Sequence, residues 1–210
     1  MDTIAVLLET FPLYSEDLEI DLSKPSGRFK WFLASLLFGA RISEQIAATT
    51  YKTFEQYGID SPDKIRAAGW DDLVRILDEG GYVRYDFSTA SKLLEIMQAL
   101  TERYGTLEEL YKGSADTKEL KKRLQEFKGV GAVTAQIFLR EMRGIWAIQL
   151  EASNTAADVA KKLEIDLHNF SGEELAHLET ALVKLALRYC KRKRCAACPV
   201  RQFCVDKSRP

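Results

Sequence analysis

The 210-residue chain has no apolar run approaching the ~20 residues that a bilayer-spanning helix needs. The longest apolar run near its start, Ile4 to Leu8, is too short for a signal peptide, and no basic flank precedes it. A cytoplasmic protein with no membrane partner is therefore expected; it is also expected to be a monomer. Cysteine is absent before position 190, which argues against a small disulfide-stapled scaffold. Alternating, strand-like segments are scarce, and there is neither an internal repeat nor a low-complexity stretch. Histidine occurs only as His168 and His177, neither near another ligand type, so both read as surface or helix-packing residues. An apolar fraction of 46% with 29% charged residues is that of a globular chain with a core, not of a disordered one.

The formal net charge of −1 argues weakly against a polyanionic partner, but the charges are unevenly spread. Residues 1–27 carry six acids against one base, whereas residues 188–210 carry eight bases against one acid, Asp206. The basic end suits phosphates. A solvated basic tail is the plain alternative unless a motif lies beside it.

The periodicity is helical throughout. An apolar stripe runs from about Phe29 to Tyr57, with Gly39 as a bend or break. Ser61 caps a helix with Pro62 in its first turn, and a second short helix covers Trp70–Leu77 before Gly80-Gly81. An amphipathic helix over Ser88–Tyr104 is closed by Gly105, and Thr106 with Glu109 forms a capping box. Helices over 116–127, 132–142, 155–163 and 172–189 complete an all-α fold of nine or ten short helices. Trp31, Trp70 and Trp146 are expected in the core; Tyr82 and Tyr85, in a glycine-rich loop, are the candidates for stacking on a base.

All four cysteines fall in one short stretch, as Cys190-x4-Cys195-x2-Cys198-x5-Cys204. Four thiolates so spaced are a ligand set for a [4Fe–4S] cluster or a structural zinc. Zinc sites usually pair two Cys-x-x-Cys knuckles, and only Cys195–Cys198 is one; Pro199 directly after a ligand also leans towards iron. Free or disulfide-bonded thiols are the remaining alternative. A cluster would pin the basic residues Lys191, Arg192, Lys193, Arg194 and Arg201 in one conformation.

A second signal is Phe127-Lys128-Gly129-Val130-Gly131-Ala132-Val133-Thr134, where one helix ends and another starts after a Gly-x-Gly turn. The glycines allow close backbone approach, and the amides of Val130, Gly131 and Ala132 would point outward at a helix N-terminus, with Lys128 adding charge. Such a turn holds a backbone phosphate without reading sequence. A tight αα-turn with no ligand is the bland alternative.

Together the two signals resemble the endonuclease III class of DNA glycosylases, in which a helix–hairpin–helix precedes a compact four-cysteine loop. The likeness extends over Phe32–Phe54, Gly81-Tyr82…Lys92 and Arg188-Tyr189-Cys190…Cys204, most of residues 28–204. It implies two helical lobes, one over 31–145 and one joining 1–30 to 146–210, with DNA across the groove between them. It implies a base-excision-repair hydrolase that binds double-stranded DNA containing a damaged or mispaired base, flips that base out and cleaves its glycosidic bond. The hairpin residues Lys128, Gly129, Val130, Gly131, Ala132 and Thr134, with Arg41, Lys191 and Arg192, would contact DNA.

Three positions depart from the family pattern. Val133 stands where bifunctional members carry the lysine that attacks the sugar, so lyase chemistry is not expected and a monofunctional enzyme using water is. The essential aspartate aligns with Glu151; a small insertion would bring Ser153 or Asn154 there instead, either able simply to cap the next helix, and Asp158 lies one turn further on. Ala40 stands near the place of a gap-filling glutamine, leaving Arg41 to wedge or to grip a phosphate. The rival to a glycosylase is a catalytically silent nucleic-acid-binding paralogue, favoured by Val133 and the missing aspartate. A redox or regulatory cluster protein is a third reading.

Overall fold

The computed structural model describes residues 2–206. Lys207 and Arg209 of the basic stretch lie outside the described residues. The fold is all-helical, with no strand among the described residues. Eleven α-helices are described: α1 Thr3–Thr10, α2 Tyr14–Asp17, α3 Pro25–Phe38, α4 Glu44–Gln56, α5 Pro62–Glu79, α6 Asp86–Arg103, α7 Leu107–Lys112, α8 Thr117–Gln125, α9 Ala132–Met142, α10 Asn154–Lys162 and α11 Gly172–Leu185.

Local chemistry sets most of their ends. Ser43, Ser61, Thr106, Asp116 and Ser153 each accept a backbone N–H three residues on, satisfying a donor that the first helical turn leaves open. Of the capping box expected at Thr106 and Glu109, the Thr106 half forms, with Glu109 N–H donating to its hydroxyl at 3.1 Å. The two helices expected across 61–80 are one element broken at Gly69, whose φ of 72° leaves the helical region. The break resets the helical phase: Ile65, Leu73, Ile76 and Leu77 face inward, while Trp70 is 41% exposed. Trp70 is thus not the core residue expected, whereas Trp31 and Trp146 are.

The chain divides into two compact units, with the boundary inside α9. Leu18–Phe138 form one, and the described residues on either side of that span form the other. In the first unit, Phe32 of α3 meets Phe127 at 6.3 Å and Phe138 at 5.2 Å, edge to face, and the Trp31 indole donates to Phe138 O at 3.1 Å. These contacts fix the end of α8 and the body of α9 against α3. In the second unit, α1, α10 and α11 enclose a core of Leu7, Phe11, Val159, Leu178, Leu182 and Leu185, with Val200 fully buried among them.

The second unit also buries charge. The Glu141 carboxylate accepts the amides of Tyr14 and Ser15, both at 2.9 Å, and so caps α2. Lys184, with no exposed side-chain surface, donates to Pro12 O and to Asp17, and its ammonium lies 4.3 Å from the centre of the Tyr14 ring. Burial pushes the Lys184 pKa down, against the upward pull of Asp17.

Candidate functional site

The connection from α8 to α9 is built from alternating buried and exposed residues. Phe127 and Val130 are buried, while Lys128, Gly129, Gly131, Ala132 and Val133 are exposed. Gly129 has φ of 90°, which a residue with a Cβ rarely adopts. A Cβ there would also come within 2.8 Å of Lys92 Cδ, so the aliphatic stem of Lys92 lies over the turn. Of the three amides expected to face outward, that of Val130 instead donates to Phe127 O at 3.0 Å and closes the turn. The amides of Gly131 and Ala132 have no hydrogen-bond partner among the described residues, at the N-terminus of an 11-residue helix. They can accept an anion. Lys128 pairs with Glu95 at 2.9 Å, on an exposed surface where the pair is readily exchanged for another partner. The ammonium of Lys92 has no ion pair among the described residues.

Two further loops of the same unit are tied to the start of α9 and to the end of α3. Gly39 packs so tightly on Thr134 that a Cβ would stand 2.0 Å from its hydroxyl, bringing the loop that carries the exposed Arg41 against the start of α9. Thr134 is buried in that contact. Tyr82 is 1% exposed and its hydroxyl donates to Leu37 O at 3.0 Å, tying the 80–85 loop to the end of α3. Tyr82 is therefore a core residue and not a free stacking surface. Tyr85 is half-buried, with the Arg84 guanidinium 5.6 Å from its ring centre. Val133, at 66% exposure, is an apolar side chain displayed on the first turn of α9.

The cysteines lie in the other unit. A π-type turn over Ala186–Cys190 continues α11, and Lys191 N–H reaches back to Ala186 O at 2.8 Å. The chain then reverses through Lys193, with φ of 54°. Two short 3-10 turns, Cys195–Ala197 and Arg201–Phe203, deliver the other three cysteines. Val200 plugs the core beneath them, and Val205 N–H bonds to Lys162 O at 2.9 Å. Cys190, Cys195, Cys198 and Cys204 line one cavity of about 550 Å³ together with Tyr189, Arg201 and Gln202. None is in a disulfide. Burial pushes the Cys198 thiol pKa up, and the other three cysteines push the same way. Among the described residues no three His, Cys, Asp or Glu side chains are gathered as one metal ion would require. Lys191, Arg192, Lys193 and Arg194 are all exposed beside that cavity.

Glu151 is exposed in the segment leading to α10, and Asp158 is exposed on α10 itself. Ser153 caps the helix, one of the two alternatives raised for that position. The segment is gripped from behind by a buried ion pair. Arg143 bonds to Glu179, with their side chains 1% and 0% exposed. Arg143 also donates to Leu150 O at 2.7 Å and to Glu151 O at 3.1 Å, while Glu179 accepts Ser153 N–H at 2.9 Å. This clamp was not foreseen from sequence. Its one sign was a glutamate inside the apolar run of α11. His168 and His177 are occupied by Asp166 and Glu16, at 2.9 and 3.3 Å.

No protein-family model matches the chain, and no curated protein matches it either.

Proposed function

We propose that the protein is a monofunctional DNA glycosylase that grips duplex DNA by its backbone and hydrolyses one N-glycosidic bond. The observation that carries the binding half is the α8–α9 turn, whose Gly131 and Ala132 amides, without a partner among the described residues, sit at a helix N-terminus beside Lys92, which has no ion pair among those residues either. Buried Phe127, Val130 and Phe138 hold those amides in place before any ligand arrives, so little ordering is required on binding. Arg41, on the loop packed against Thr134, is a second cation for the same strand.

In the catalytic half Glu151 accepts a proton from water as its oxygen bonds to the anomeric carbon and the base departs with the glycosidic electrons. A carboxylate also stabilises the positive charge that develops on the sugar. Arg143 and Glu179 fix the backbone from which Glu151 projects. Val133 has no amine, so no covalent imine forms on it. Cys190, Cys195, Cys198 and Cys204, which line one cavity, would hold a [4Fe–4S] cluster; the single Cys-x-x-Cys knuckle and Pro199 directly after Cys198 favour it over a structural zinc. When bound, the cluster would supply a rigid anchor for the Lys191–Arg194 loop. The exposed Val133 favours one second reading, a DNA-binding protein without chemistry.

Duplexes each containing one damaged or mispaired base, incubated with protein and then cleaved by alkali at abasic sites, separate the two. Base release that Glu151→Gln abolishes without weakening DNA binding supports the enzyme. Binding without release across the set supports the binder. Release that survives Glu151→Gln moves the catalytic role away from that residue.

A further inference from the structure

Trp70 and Phe87 form an exposed aromatic pair on the unit that carries the α8–α9 turn. Their ring centres are 5.4 Å apart with planes inclined by 34°, and the two residues are 41% and 61% exposed. Two large aromatic residues exposed in contact with one another offer an apolar surface that a ligand can cover. The indole N–H donates to Ser91 Oγ at 3.0 Å, and that hydroxyl donates in turn to Phe87 O at 3.0 Å. Both rings are thereby referred to the same turn of α6.

We infer that this pair is a stacking platform for an unpaired nucleobase, a site that rests on the nucleic-acid reading above and names what the strand presents to it. The rings are too close to admit a base between them, which needs about twice the 3.4 Å stacking distance. The base therefore stacks on the outer face. Phe87, Ser91 and Glu95 follow one another at i, i+4 along α6, and Glu95 meets Lys128 of the turn. Lys92 lies about 7.5 Å along the axis from Phe87, roughly two stacked nucleotides, and about 140° round the helix. A strand stacked at the pair and passing over Glu95 and Lys128 would bring its phosphates to Lys92 and the open amides. Asp71 is exposed beside Trp70, and Asp86, half-buried, accepts Phe87 N–H at 2.8 Å. Those neighbouring carboxylates disfavour a phosphate at the pair, which leaves the neutral face of a base as the group that fits. Val83, on the loop that precedes α6, is also 63% exposed.

Trp31 and Trp146 are buried, so iodide-quenchable emission belongs to Trp70. The test titrates the whole protein with single-stranded oligothymidylate and with a fully paired duplex of equal length. Fluorescence reports on Trp70, and anisotropy of labelled strands reports on binding. Oligothymidylate should quench Trp70 and shield it from iodide. Phe87→Ala should weaken that binding by roughly 5- to 150-fold, and Trp70→Phe should remove the signal while keeping most of the affinity. Circular dichroism confirms that the variants keep their helices. Binding by anisotropy with unchanged Trp70 emission and unchanged Phe87→Ala affinity overturns the platform and leaves the DNA-binding reading standing. No binding of either form overturns both. A dimer that Phe87→Ala dissociates, with DNA affinity unaltered, makes the pair a protein interface and overturns the inference.

Discussion

Removing Arg143 tests whether the 150–153 segment is held by buried charge. Arg143→Met leaves the Glu179 carboxylate, 0% exposed, without its guanidinium, and withdraws the donors from Leu150 O and Glu151 O. Breaking a buried pair by deleting one partner costs about 3–5 kcal/mol, mostly because the other charge stays desolvated. At roughly 2–4 °C per kcal/mol for a chain of this size, the melting temperature should fall by about 6–20 °C. The double variant Arg143→Met with Glu179→Leu removes both charges and should recover most of the loss, since an apolar replacement of a buried pair is often neutral. It would not restore the donors to Leu150 and Glu151. Hydrogen exchange at residues 150–153 should therefore stay faster than in the parent even where stability returns. A loss under ~1 kcal/mol for Arg143→Met would refute the buried pair. A double variant as unstable as the single would show that the backbone contacts to Leu150, Glu151 and Ser153, and not the charge, dominate.

Three further outcomes are expected. Purified protein should be brown with broad absorbance at about 400 nm, and Cys195→Ser should lower iron content and DNA affinity together; colourless protein with one equivalent of zinc would contradict the cluster. Gly80→Ala should destabilise by about 1–3 kcal/mol in urea unfolding, because its Cβ would stand 2.5 Å from Thr50 Cα, a backbone atom that cannot swing aside. Lys24, with help from Ser23, holds the Asp21 pKa at about 2, below its usual 3.8. The stability this contributes is present above the usual value and is lost as pH falls towards 2, so Asp21→Asn should flatten that part of the acid unfolding curve.

Legibility in the sequence followed the range of the interactions. Ser61, Thr106 and the stop at Gly105 act within a few residues, and their helix ends could be read directly. The cysteine spacing likewise showed that four thiols lie together, and the structure gathers them on one cavity. Trp70 was misread because periodicity carries across a window only while the helix keeps its phase, and Gly69 breaks it. Nothing local marked Tyr82 as a core residue, because its hydroxyl partner, Leu37 O, lies 45 residues away. The Val130 amide was misread for the opposite reason. Its partner, Phe127 O, is local, but a turn that satisfies one of its own donors has the same glycine pattern as one that does not. Buried Glu141, Glu179 and Lys184 were invisible because nothing local reveals which charges a tertiary fold will pair.

Val133→Lys offers a gain of function where the other tests seek a loss. The side chain is 66% exposed on the first turn of α9, so a lysine there disturbs no packing. The helix N-terminus is electropositive and disfavours an ammonium, which lowers the pKa of the new amine and leaves more of it free to attack near neutral pH. A duplex with a preformed abasic site presents an aldehyde at C1′ without any need to know which base the protein excises. If the α8–α9 turn sets such a duplex with its sugar beside α9, the amine adds to that carbon, water leaves, and borohydride reduces the imine to a stable cross-link. The parent protein should give no cross-link under the same conditions. Adding Gly131→Val to the lysine variant should lower the yield, because the phosphate contact that positions the strand is weakened. A lysine variant that binds the abasic duplex as tightly as the parent and yet traps nothing would show that the sugar does not come to this face of α9. The turn would then be a backbone clamp alone, and the site of any base release would have to be sought elsewhere on the chain.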